Sequence, residues 1–202
     1  LPEQQAALEG NPDVTLATFE NNLLIFIGMN MLMPPLDSAD VREAIRYAIN
    51  YDEIMQLTGK DAKLVQEVIP AGYLGYTGQN PFTQDIAKAK ELLTKAGFPD
   101  GITLEALVPA EFPAGPIDYP TLAAKVQSDL ALAGITLNLQ QLQIGELLNK
   151  YRAQEGQVVF MLWGPDYPDP DSNAAAFSDY ALKTSAFRNG WDNPEIAALS
   201  KE

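Results

Sequence analysis

Apolar residues recur along this chain with two periods, and the switches between them outline the secondary structure. Val41, Ala44, Ile45, Ala48 and Ile49 fall at i, i+3, i+4, i+7 and i+8, the stripe of an amphipathic helix, while Arg42, Glu43 and Arg46 lie outside it. Ser38 is placed to cap the start of that helix. A second helix is predicted over 84–96, burying Ile86, Ala89, Leu92, Leu93 and Ala96 and leaving through Gly97 as a left-handed C-cap. A third, over 119–132, buries Leu122, Val126 and Leu130 and ends at Gly134. Shorter helices are expected over 3–9, 144–153 and 170–177. Strand-like runs lie between them: VTLATFE (14–20), NLLIFIGM (22–29), ITLEALV (102–108), ITLNLQQL (135–142) and VVFMLWG (158–164). The first two are separated by a polar turn at Glu20–Asn21.

One echo runs through this pattern. Ala96–Gly97 is followed shortly by Gly101-Ile-Thr-Leu, and Ala133–Gly134 runs directly into Ile135-Thr-Leu. Each is a helix, a glycine exit and a half-buried strand, so the two read as similar αβ units of one sheet. Alternating helices and strands with no linker-like stretch argue for a single α/β domain, helices packed on a sheet, over 1–202. Two loops are too rich in Gly, Pro and aromatic residues to be plain connections: IPAGYLGYTGQNPF (69–82) and EFPAGPIDYP (111–120).

Composition narrows the chemistry. The 202 residues carry a net charge of −14, which argues against a nucleic-acid partner and against docking on an anionic membrane surface. It is compatible with a cationic ligand or one bearing an ammonium group. There is no Cys and no His, so Ser-His-Asp and Cys-His catalysis, thiolate or imidazole metal sites and imidazole pH switching are all excluded. The longest apolar run, LLIFIGM, is the size of a strand and far short of the roughly 18 residues of a membrane span. LPEQQAALEG at the start is not a signal peptide.

The densest cluster of functional groups is WGPDYPDPD, Trp163–Asp171. Prolines at 165, 168 and 170 stiffen it into an extended exit from the strand ending at Trp163. Asp169 is then the N-cap of the next helix with Pro170 as its first residue, and Asp171 meets the positive end of the helix dipole. Asp166 has two readings: a ligand-facing carboxylate at the C-terminal end of a sheet strand, or a turn residue bonded to its own backbone. A calcium loop fails, because Ala174 and Tyr180 stand where Gly and Glu are required. A carboxylate-dependent hydrolase built on Glu111, Asp118 and Asp166 is a further alternative. Trp163 reads as a strand-end core residue or a cleft wall, and Tyr73, Tyr76, Phe82 and Trp191 as loop anchors that could line a cleft.

An ordered set of segments resembles the bacterial solute-binding proteins of ABC importers that take up peptides and nickel. The set comprises Asn30 with Pro34–Pro35, VREAIRYAIN (41–50), AKELLTKAG (89–97), AGI (133–135), WGPDYPDP (163–170) and NPE (193–195). The resemblance implies one lobe of a periplasmic-binding-protein-like clamshell, a mixed sheet flanked by helices. It is similar to most of the C-terminal lobe alone, without the first lobe and without the final segment that returns to it. It further implies a monomeric, exported, non-enzymatic protein, periplasmic or on the extracellular surface, with no cofactor and no metal. Such a protein traps a peptide between two lobes and presents it to a membrane permease. Carried over by position, Asp166 holds the peptide's α-ammonium, with Trp163, Gly164, Tyr167 and Asn30 also at the ligand. The strand edge near 160–164 adds backbone hydrogen bonds. Nickel-type members generally lack the aspartate, and sugar- or opine-binding members are the alternative within the fold. Asn50–Tyr51 departs from the family's usual Asp-Arg.

Overall fold

The computed structural model describes residues 7–17, 22–58, 62–112, 117–167 and 169–201. A four-stranded mixed sheet, in the order β1-β4-β2-β3, organises them. Its strands are β1 (Leu24–Met29), β2 (Ile102–Pro109), β3 (Ile135–Leu142) and β4 (Val158–Trp163). β2 runs parallel to both β3 and β4, and β1 lies antiparallel to β4. Helices α1 (Ala39–Ala48), α3 (Ile86–Lys95) and α4 (Tyr119–Leu132) cover one face, and α5 (Ile144–Arg152) and α6 (Asp171–Ser178) pack on the other. A short helix α2 (Tyr51–Thr58) follows α1, and the chain ends in α7 (Ser185–Arg188) and α8 (Pro194–Leu199).

The two faces follow from strand alternation. Leu104, Ala106 and Val108 of β2, with Val158 and Phe160 of β4, point into the larger core with α1, α3 and α4. Leu107, Val159 and Met161 point the opposite way, against Leu147 and Tyr151 of α5. The α1 stripe is buried as its spacing predicts, from Val41 through Ile49. Ser38 occupies the N-cap position with extended backbone, but its side chain makes no cap bond. Asp85 does cap α3, accepting from Lys88 N at 2.8 Å.

The αβ echo is in register. Ile102, Thr103 and Leu104 face Ile135, Thr136 and Leu137 across the β2–β3 ladder, and Gly101 and Gly134 meet at the two strand starts.

Three expectations change. Residues 14–17 form no strand and are exposed, Val14 at 37% and Leu16 at 41%, because nothing packs over them; residues 18–20 of that run lie outside the described residues. Of the helix expected over 3–9, residues 3–6 also lie outside them, and Ala7–Leu8 are helical. α2 was not foreseen: it buries no residue, so its sequence has little periodic signal, and it starts where Asn50 Oδ1 accepts from Glu53 N at 3.2 Å.

Candidate functional site

The carboxyl ends of three parallel strands lie on one rim. β1 and β4 stay paired along their whole length, to Leu24↔Trp163. The β2–β4 ladder consists only of Ala106↔Val158 and Leu107↔Val159, while β2 continues alongside β3 to Pro109↔Leu142. The bridged β2–β4 pairs thus end at Leu107↔Val159, and Val108, Phe160 and Met161 beyond them remain buried in the two cores. In open α/β sheets the carboxyl ends of the strands are the usual ligand position. Proline as the last residue of β2 has no N–H for a ladder.

Trp163 closes β4 at that rim. Its Nε1 donates to Ser172 O at 3.2 Å, and its ring meets Phe177 edge-on at 6.0 Å, with Phe26 on the other side of Phe177 at 5.3 Å. The indole thus fixes α6 against β1 and β4 with its polar tip spent on the backbone, and it serves the rim as a wall. A Cβ on Gly164 would lie 2.7 Å from Leu23 Cδ2, so glycine lets the exit fold closely over the chain entering β1.

The three aspartates part company as the prolines predict. Asp169 Oδ1 accepts from Asp171 N at 2.9 Å, the work of an N-cap. Pro170 already has helical dihedrals (φ −56°, ψ −29°), so the helix effectively begins one residue before Asp171. Asp171 sits in the first turn and accepts from Tyr167 Oη at 3.1 Å. That hydrogen bond, with burial and the neighbouring carboxylates, pushes the Tyr167 phenol up from its ordinary value. Pro168 lies outside the described residues. Asp166 is exposed and has no hydrogen-bond or ion-pair partner among the described residues.

Asn30 lies elsewhere. It follows Met29, whose partner is Val158 at the start of β4, so it stands at the far end of the strand pair from Asp166, with the roughly 17 Å length of β4 between them. It is 1% exposed, donating Nδ2 to Gln154 O at 2.9 Å and accepting from Leu32 N at 3.0 Å. Its amide is committed to holding the β1 exit, and the structure does not bring it together with Asp166.

Two shallow surface cavities, of about 360 and 330 Å³, also lie apart from Trp163 and Asp166, one around Pro34 and Gly101, the other around Glu105, Lys150 and Gln157.

The hydrolase triad does not assemble as free carboxylates. Asp118 caps α4, accepting from Thr121 N at 3.0 Å and from Thr121 Oγ1. Among the described residues no group of three or more Asp or Glu is placed to hold a metal ion. The loops leaving the rim carry acidic residues only. From 110 to 118, 143 to 149 and 164 to 182 there are Glu111, Asp118, Glu146, Asp166, Asp169, Asp171 and Asp179, and no Lys or Arg.

Sequence reasoning missed one element of this region. Asn173 of α6, fully buried, donates Nδ2 to Val68 O at 2.9 Å and so ties the 69–82 loop to the first turn beside the rim. Nothing local in either segment signals a contact spanning 105 residues.

The described residues thus form a four-stranded mixed α/β sheet domain, with the Asp166 carboxylate exposed and without a partner among them just beyond β4. The chain belongs to the bacterial extracellular solute-binding proteins, family 5, whose middle region matches residues 1–183. The family's members are solute-binding proteins. The chain is 28% identical over 194 residues to the dipeptide-binding protein of Escherichia coli K12, covering 94% of this chain and 36% of that protein. It is 30% identical over 175 residues to di/tripeptide-binding protein 1 of Pseudomonas aeruginosa UCBPP-PA14, covering 85% of this chain and 32% of that one. The dipeptide-binding protein of Pseudoalteromonas sp. SM9913, solved with Met-Leu, superposes with a TM-score of 0.87 at 25% identity, over 98% of this chain and 40% of that one. The chain thus spans about a third of the length of the curated relatives it matches.

Proposed function

We propose that this chain is one ligand-binding lobe of an exported, two-lobed solute-binding protein that captures short peptides and delivers them to the permease of an ABC importer. The observation that carries the reading is Asp166: an exposed carboxylate without a partner among the described residues, three residues beyond the carboxyl end of β4. An α-ammonium offers three donors and a carboxylate accepts them as charge-assisted bonds. The loops around it contribute no competing cation, and their carboxylates add an attractive field. Leu162, Trp163 and Gly164 at the end of β4 are only partly buried, which suits contact with the main chain of an extended peptide. Trp163 and Tyr167 stand beside Asp166 as apolar walls with their polar tips already engaged. Relatives named for dipeptides and di/tripeptides support the same ligand class.

The test is calorimetric titration of the full-length protein with a dipeptide and with its N-acetylated form. Acetylation is expected to weaken binding at least tenfold, as does Asp166→Asn for the free dipeptide. Equal affinity for both forms would remove the ammonium anchor. Binding of sugars or opines in place of peptides would move the ligand class while keeping the family.

A further inference from the structure

The loop spanning 66–82 is built to hold still. Its base is closed by a two-point pair, Gln66 Nε2 to Phe82 O at 2.8 Å and Phe82 N to Gln66 Oε1 at 2.7 Å. Within it, Glu67 accepts from Gly78 N at 2.8 Å and from both the amide and the hydroxyl of Thr77. Phe82 is held by Tyr47 edge-on at 5.2 Å and by the Arg46 guanidinium over its ring. Yet this braced loop carries Leu74 at 86% exposure, the highest among the exposed large apolar side chains, with Val68 at 44%. Ordering a loop costs conformational entropy, and among the described residues none covers Leu74. The loop base is joined to the first turn of α6 through Asn173 and Val68 O, and that same turn holds Tyr167, half exposed, through Asp171. The base of the loop and Tyr167 are thereby tied to the same helical turn.

We propose that the tip of this loop, Pro70–Tyr76 with Leu74 at its apex, is the surface on which this lobe docks against the rest of the full-length protein. This rests on the reading that the chain is one lobe of a longer binding protein. The relatives it matches carry more than half of their length outside the matched region, which supplies the occupant. A rigid ridge with an aliphatic apex loses little entropy on docking, as a repeatedly made and broken contact requires.

Amide hydrogen exchange on the 202-residue chain and on the full-length protein, with and without saturating dialanine, tests this. Peptides covering 70–76 are expected to exchange about tenfold more slowly in the full-length protein under at least one of the two conditions. Leu74→Ser should abolish that slowing while leaving the melting temperature of the 202-residue chain unchanged, since the side chain is free there. Loop exchange equal to that of the isolated chain under both conditions overturns the proposal, whether or not dialanine binds. A full-length protein that protects the loop but takes up no peptide keeps this proposal and removes the ligand reading instead.

Discussion

Gly101 and Gly134 touch. A Cβ built on Gly101 would lie 2.1 Å from the carbonyl oxygen of Gly134, which also accepts from Ile102 N at 3.1 Å. This contact sets the start of the β2–β3 ladder and with it the rim that the two strands reach eight residues later. Both glycines have positive φ, +93° and +87°, but only Gly101 faces backbone that cannot give way. Gly101→Ala is therefore expected to destabilise the chain by about 2–4 kcal/mol, strain and clash together. Gly134→Ala, whose Cβ would meet Gly101 Cα at an ordinary 3.6 Å, should cost only about 1 kcal/mol for its φ. Urea unfolding of the two variants measures the difference; equal losses would mean that the clash is relieved by a shift of the ladder.

The three aspartates should separate in stability as they do in geometry. Asp169→Ala removes a cap bond and is expected to cost about 1 kcal/mol. Asp171→Asn keeps an acceptor for Tyr167 and loses only its charge at the helix start, a cost of about 0.3–1 kcal/mol. Asp166→Asn removes no contact and should leave the unfolding midpoint within error of the parent. In ligand binding the order reverses: if the full-length protein closes over a peptide amine, losing the Asp166 charge costs about 2–5 kcal/mol. A stability loss at Asp166 as large as that at Asp169 would show that its carboxylate is spent on the turn.

What the sequence made legible is what short-range periodicity controls. The α1 stripe, the glycine exits at 97 and 134, and the cap at Asp169 were readable because spacing alone imposes them. The strand expected over 14–20 failed at Val14–Ala17 because alternation describes a surface that wants burial without supplying the surface that buries it. Asn30 was grouped with Asp166 on resemblance; only the antiparallel pairing of β1 with β4 puts them at opposite ends of a strand. Where the β2–β4 ladder ends, at Leu107↔Val159, is likewise a matter of pairing between distant strands, and local pattern carries almost none of it.

Asp129 is the most consequential buried charge outside the rim. It is 3% exposed, accepts from Asn50 N at 3.0 Å and pairs with Lys125, which also reaches Glu53 at 2.7 Å. This joins α4 to the junction of α1 and α2, the position where the chain has Asn50–Tyr51. Asp129→Ala strands both the Asn50 amide and part of the Lys125 charge and is expected to cost about 3 kcal/mol. Glu53→Ala, on the exposed side of the same lysine, should cost under about 1 kcal/mol. Chemical denaturation of each variant and of the double variant gives the coupling between them, which should be small if Asp129 alone holds the junction.

The Glu67 bracing gives the loop a pH dependence of definite sign. Burial by itself would push this carboxyl up, but donation from Thr77 and Gly78 outweighs it and holds the group below its ordinary value of 4.5. A depressed folded value means that the unfolded chain binds the proton more readily, so the contribution is present above about pH 4.5 and fades as pH falls through the folded value. The stability gap between the parent chain and Glu67→Gln is thus expected to be widest at neutral pH and to narrow in acid. Exchange at the Gly78 amide, which donates to Glu67 at 2.8 Å, should rise over the same interval once corrected for its intrinsic pH dependence. A gap that stays constant from pH 7 to pH 3 would mean that the loop is held by the Gln66–Phe82 pair alone, with Glu67 a passenger.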